Sequence, residues 1–171
     1  MNVCIKLVKD TIEYYVRTNQ TPLLPATLPS DLISQRACYV SIFENPGRRL
    51  RAIHGSPLPR QSTLAQEIIA NTIYAISHGN SHPIRQADLH SLSFAVTILN
   101  SLQRISDHSH LNPRNFGLYV RSDQGKSTVL LPQRTGIETA QQQIATALRE
   151  SGINEREEAV TMYRFGVTYF E

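Results

Sequence analysis

The segment Ala37–His54 constrains this chain more than any other, because its pattern folds it back on itself. Cys38, Val40 and Ile42 alternate with Tyr39, Ser41 and Phe43, the period of a strand with one buried face. Glu44-Asn45-Pro46-Gly47-Arg48 follows as turn chemistry, with Pro46 presetting φ and Gly47 accepting the positive φ of a type II turn. Arg49–His54 then returns as the partner strand. Strands joined by so short a loop pair antiparallel, since a parallel return needs a crossover of roughly a dozen residues or more.

The elements around this hairpin come in mixed order. Cys4, Val8, Ile12 and Tyr15, joined by Ile5 and Val16, recur at helical spacing and predict an amphipathic helix of about four turns. Residues 21–30 contain Pro22, Pro25 and Pro29 and read as an extended connector. Thr63 and Gln66 match a capping box before the helical stripe Leu64, Ile68, Ile69, Ile73 and Ile76, which Gly79 ends. His78–Pro83 reads as a polar loop and Gln86–His90 as a helical turn. Leu92–Leu99 alternates as a strand, and Gln103–Ser106 extends or follows it. Phe116–Arg121 and Ser127–Leu131 flank Ser122–Lys126 as a second hairpin. Ile137, Ile144 and Leu148 mark a third helix with Gly152 at its C-terminal stop. Val160–Phe170 closes the chain as one strand with Tyr163, Phe165, Val167 and Tyr169 on one face. Hairpins mixed with helices point to an α+β fold built on a mainly antiparallel sheet with flanking helices, rather than βαβ winding. The length of 171 residues fits a single domain spanning 1–171.

Composition narrows the partners. With 40% hydrophobic and 18% charged residues the chain carries enough apolar surface to bury a core and too little charge to be disordered. The formal net charge of +3 is mild, and the only local concentration is Arg48, Arg49, Arg51 and Arg60. Nucleic acid is therefore the weakest of the partner classes, since a general binder shows a denser basic footprint. No apolar stretch is long enough for a membrane span or an uninterrupted signal-peptide core, and the two cysteines, Cys4 and Cys38, have no zinc or CxxC spacing. The expectation is a cytoplasmic, soluble protein with reduced thiols, no metal and no cofactor.

Three groups of residues compete as sites. Arg49 and Arg51 share one strand face, where they either clamp a phosphate or carboxylate or guard a solvated edge strand. His54 sits inside a strand as a core residue, an acid/base in a cleft or a ligand. His78 with His82, and His108 with His110 on an extended segment, lack the convergent partners a metal needs and read as surface loops. Cys38, alternating with Val40 and Ile42, reads as a small core residue, as does Cys4. No GxSxG, HExxH, P-loop or GxGxxG motif is present.

Four segments together resemble the AMMECR-type domain family, represented in bacteria by protein A of the AmmeMemoRadiSam system. They are Leu50-Arg51-Ala52-Ile53-His54-Gly55 at the place of the signature Leu-Arg-Gly-Cys-Ile-Gly, Ser93–Ile105, Phe116–Gln133 with its "GLYVR" and "LLPQ" ends, and Val160–Phe170 around Tyr163-Arg164-Phe165. Within the signature Leu50, Arg51 and Gly55 match, whereas Ala52, Ile53 and His54 replace glycine, cysteine and isoleucine. Ile53 cannot perform thiol chemistry. The loop written Asp-Pro-Arg-Phe-Pro-Pro in the family is here residues 78–83, keeping only Pro83 of that pattern. The resemblance implies an α+β fold with a smaller subdomain, and association with a MEMO-like protein and a radical-SAM enzyme.

Three functions follow as expectations. The first is an accessory or binding component of such a system, with Arg49, Arg51, Gly55 and Gln133 lining a cleft. The second is an enzyme using His54 as acid/base and Arg51 as anion holder. The third is nucleic-acid binding through Arg48–Arg60. The aromatic final strand either pairs across a homodimer or is buried in the monomer.

Overall fold

Asn2 starts the first helix, its Oδ1 accepting from the Cys4 N–H at 2.8 Å. This helix, α1 (Val3–Thr18), ends where Asn19 takes a left-handed backbone. The computed structural model describes residues 2–78 and 83–171. Beyond the irregular proline-rich segment, a one-turn helix α2 (Ser30–Ile33) leads into strands β1 (Cys38–Glu44) and β2 (Arg49–Gly55). The chain continues through α3 (Leu64–His78), a 3-10 turn at Gln86–Ser91, and β3 (Leu92–Leu99). Next come β4 (Gln103–Ile105), β5 (Gly117–Ser122), β6 (Ser127–Leu130), α4 (Ala140–Ser151), β7 (Val160–Phe165) and β8 (Val167–Phe170).

The α+β expectation holds, but with two antiparallel sheets. Strand order is β2-β1-β3-β8 in one and β4-β7-β5-β6 in the other. The chain forms two compact units, Met1–Ile98 with Thr168–Glu171, and Leu99–Val167. In the first, Val8 and Ile12 of α1 and Leu64 and Ile68 of α3 pack on Val40, Ile42, Val96 and Ile98. In the second, Ile144 and Ala147 of α4 pack on Leu118, Val120, Leu130 and Met162.

Several local expectations change. The 45–48 turn is not type II: Asn45–Pro46 is cis, and positive φ falls on two successive residues, Gly47 (96°) and Arg48 (50°). The last segment is two strands, not one. Gly166 breaks it, and the chain moves from the second sheet to the first. A Cβ on Gly166 would lie 3.1 Å from Asn100 Nδ2, and Gly166 O accepts from Asn100 N at 2.9 Å, so this crossing is held by backbone contact. The third helix starts later than Ile137. Thr139 and Gln142 form its capping box, and Ile137 stays in the second core from outside the helix.

One buried contact in the second unit predicts acid sensitivity. Glu158 Oε1 accepts from Lys126 Nζ at 2.5 Å and from Asn154 N at 3.1 Å, while Lys126 Nζ also donates to Gly152 O at 2.9 Å. Lys126, followed by the hydrogen bonds from Ser122 and Asn154, holds the carboxyl down at about 2. Because the folded value lies below the ordinary 4.5, this contribution is present above pH 4.5 and is lost as pH falls toward about 2. Glu158→Gln should therefore weaken the chain at neutral pH and flatten the acid limb of stability in that window. Urea midpoints measured across the acid range check it, and an unchanged limb would contradict the assignment.

Candidate functional site

β2 lies at the edge of the first sheet, paired on one side with β1. The register runs Ile42↔Ala52 and then Phe43↔Leu50, which makes Arg51 the extra residue of a β-bulge. Bulges re-aim side chains. Here Arg51 Nη1 donates to Glu44 Oε1, and Arg49 Nη2 donates to Glu44 Oε2 at 2.5 Å. The hydrogen bonds from Arg49 and Arg51 pull the Glu44 carboxyl below its usual range. Arg48 is held elsewhere. Its guanidinium sits 4.4 Å from the Phe43 ring centroid, its Nη2 donates to Tyr169 Oη at 2.7 Å, and it pairs with Glu171 at 2.8 Å. Three arginines of the basic cluster seen in the sequence, Arg48, Arg49 and Arg51, are thus divided between Glu171 and Glu44.

Gly55 has a packing reason of its own. A Cβ there would fall 2.4 Å from Cys38 O and 2.5 Å from Tyr39 Cγ. Ala52 is buried under α3, and Ile53, at the signature cysteine position, is exposed.

His54 takes none of the simple placements. It pairs with Val40 across β1, on the side of β2 that faces α3, and is neither buried nor fully exposed. Its ring stacks on Tyr74 with centroids 3.7 Å apart, and Tyr74 stacks on His78 at 4.3 Å. Burial first, then the charges of Arg60 and His78, lower the His54 pKa, against a smaller opposing effect of Glu67. A neutral imidazole at pH 7 follows. The cation beside His54 is therefore Arg60; Arg51 is engaged with Glu44.

α3 builds the rest of this face. Glu67, Asn71, Tyr74 and His78 recur at steps of four, three and four, a single helical stripe. Glu67 is 1% exposed, and its Oε2 accepts from the N–H groups of Arg60 and Gln61, each at 2.8 Å. Asn71 Nδ2 donates to Cys38 O at 3.0 Å and approaches Cys38 Sγ at 3.5 Å. Burial pushes the Cys38 thiol up to about 12, so it stays protonated, and both cysteines are free and buried. Glu67 and Asn71 are not among the sequence-predicted site residues. Their signal is a polar pair four residues apart inside an otherwise apolar helix.

His78 is the last residue of α3 rather than part of a loop, and the rest of that loop, residues 79–82, lies outside the described residues. His108–His110 forms a 3-10 turn, not an extended segment, because Asp107 caps it through Ser109 N at 2.9 Å and Ser109 Oγ at 2.6 Å. Among the described residues no group of three His, Cys, Asp or Glu side chains is placed to hold a metal ion. Gln133 belongs to the second unit, where it has a left-handed backbone (φ 60°) and donates its N–H to Pro113 O at 2.8 Å. Such strain in a non-glycine residue concentrates at functional sites. A groove of about 490 Å³ between residues 21–24 and Ile69, Ala70 and Ile73 of α3 is lined by none of the sequence-predicted site residues.

A two-sheet α+β chain with a Leu-Arg…Gly signature on an edge strand defines the class. Residues 5–170 match the AMMECR1 family profile, and the chain belongs to that family. A protein of Thermotoga maritima is 30% identical over 98% of this chain and 96% of its own length. A longer protein of Clostridium acetobutylicum is 25% identical over 96% of this chain, which spans 35% of that relative. The crystal structure of an uncharacterised protein from Pyrococcus horikoshii superposes with a TM-score of 0.83 at 20% identity, covering 97% of this chain and 88% of that one, and so shares the fold. No helix among the described residues is long and apolar enough to cross a membrane.

Proposed function

We propose that this AMMECR1-family chain is a binding component acting beside a MEMO-like protein and a radical-SAM enzyme, and that its recognition face is the His54–Tyr74–His78 stack. The stack itself carries the reading. Tyr74 is 47% exposed yet fixed between two imidazoles, which makes it a pre-ordered aromatic anchor. Rigid Tyr side chains give large contact area at low entropic cost and dominate binding hot spots. The buried Glu67 holds the Arg60–Gln61 backbone in place, which anchors the base of the exposed Arg60 side chain.

The test uses the MEMO-like and radical-SAM proteins of the same genome, purified and titrated against this chain. Tyr74→Ala should weaken the complex about tenfold or more, the scale of a hot-spot truncation. Its exposure means the fold should survive the change. Absence of any complex, or equal affinity for a folded Tyr74→Ala variant, would remove the proposal.

A further inference from the structure

The strongest unexplained feature outside the ring face is the Arg49–Glu44–Arg51 group. Each oxygen of one carboxylate takes a different guanidinium, so the two arginines already converge on a point the width of an oxyanion. The bulge at Arg51 produces this convergence, since it shifts the register between the Ile42 and Phe43 pairs. The group lies outside the first core, at the turn end of the hairpin, with both arginines on the edge strand β2. Arg48, the third cation of the turn, is tied to Glu171 and Tyr169 and does not share Glu44.

We propose that Arg49 and Arg51 form an oxyanion site that Glu44 occupies from within the chain, and that an incoming phosphate or carboxylate binds by displacing it. Three physical points support the exchange. The Arg49 side chain is 81% exposed, while those of Arg51 and Glu44 are 20% and 21% exposed, so the clamp opens to solvent on its Arg49 side. A solvent-exposed ion pair is held weakly, because water and salt screen it and two long side chains must be ordered to form it. Phosphate and carboxylate both match guanidinium geometry, and a phosphate dianion brings more charge to the two cations than Glu44 does. Glu44 then acts as a built-in competitor that sets a threshold: stray monoanions fail to open the clamp, and multiply charged ones succeed. The site shares no residue with the ring face, which is made by His54, Tyr74 and His78.

Calorimetric titration of the purified chain with inorganic phosphate, and separately with succinate, tests this. Glu44→Gln removes the competing charge and leaves both arginines, and should raise affinity for at least one of the two anions by tenfold or more. Response to phosphate alone marks a phosphomonoester-type ligand, response to succinate alone a carboxylate, and response to both the shared chemistry. Adding Arg49→Ala to Glu44→Gln should abolish the gain. Equal weak binding in wild type and Glu44→Gln, or a gain that survives Arg49→Ala, overturns the proposal. Should Glu44→Gln fail to fold, the arginine Nε–H resonances of the wild-type chain decide. Saturating shifts at Arg49 and Arg51 with either anion support the site, and no shift with both anions refutes it.

Discussion

Replacing Gly55 by alanine should unfold this protein more readily even with no ligand present. The added Cβ would meet the Cys38 carbonyl oxygen at 2.4 Å and the Tyr39 ring at 2.5 Å. The ring can rotate, but the carbonyl belongs to a β1 backbone fixed between β2 and β3. The strands must therefore separate, and overpacking of this kind costs about 1–3 kcal/mol. With a denaturant slope of roughly 2 kcal/mol/M, the urea midpoint should fall by about 1 M. An unchanged midpoint would mean that the close approach of Gly55 to β1 is not a constraint, and would return Gly55 to a purely ligand-facing role. The experiment thus separates two reasons for a glycine in the signature.

The second large effect belongs to Glu67. Alanine there removes the acceptor of two backbone N–H groups, Arg60 and Gln61, and leaves a hole beside Asn71. A donor left without a partner costs about 1–3 kcal/mol, and relaxation of this loop toward water keeps the total near the lower part of the sum, about 2–4 kcal/mol. Glu67→Gln keeps one carbonyl oxygen and should lose less. Hydrogen exchange at Arg60 and Gln61 gives the local readout: both amides should lose protection in Glu67→Ala before the global transition. Because the Glu67 charge raises the His54 pKa, its removal should also move that pKa further down. Retained protection at both amides would show that they find partners elsewhere, and would end the case for Glu67 as the residue that positions Arg60.

Much of the architecture was legible because periodicity reports burial. Leu92–Leu99 and Cys38–Glu44 alternate in sequence and pair residue by residue, Val40 opposite Val96 and Ile42 opposite Phe94. The Thr63–Gln66 cap is present, with Gln66 N donating to Thr63 Oγ1 at 3.2 Å. Gly152 takes its left-handed φ of 66°, with Ile153 N donating back to Leu148 O at 3.1 Å. The break at Gly166 was not legible. The aromatic alternation runs unbroken through it, and only contact with Asn100 decides that the chain changes sheet there.

The strand Arg49–Gly55 was identifiable from its residues alone, as was the place of His54 next to a glycine. Those are properties of local order, and a period of two suffices to state them. Which charges meet is another matter. Glu44 read as a turn residue, yet a one-residue bulge brings it onto both arginines. Glu67 and Tyr74 read as members of a helix, yet packing of α3 across β2 buries the first under the Arg60 backbone and stacks the second on His54. The amino-acid order determined the strands, the helices and the candidate residues. Tertiary packing decided their partners, because contacts between residues distant in sequence depend on register and on how helix and sheet are set against each other, and neither leaves a periodic mark in the chain.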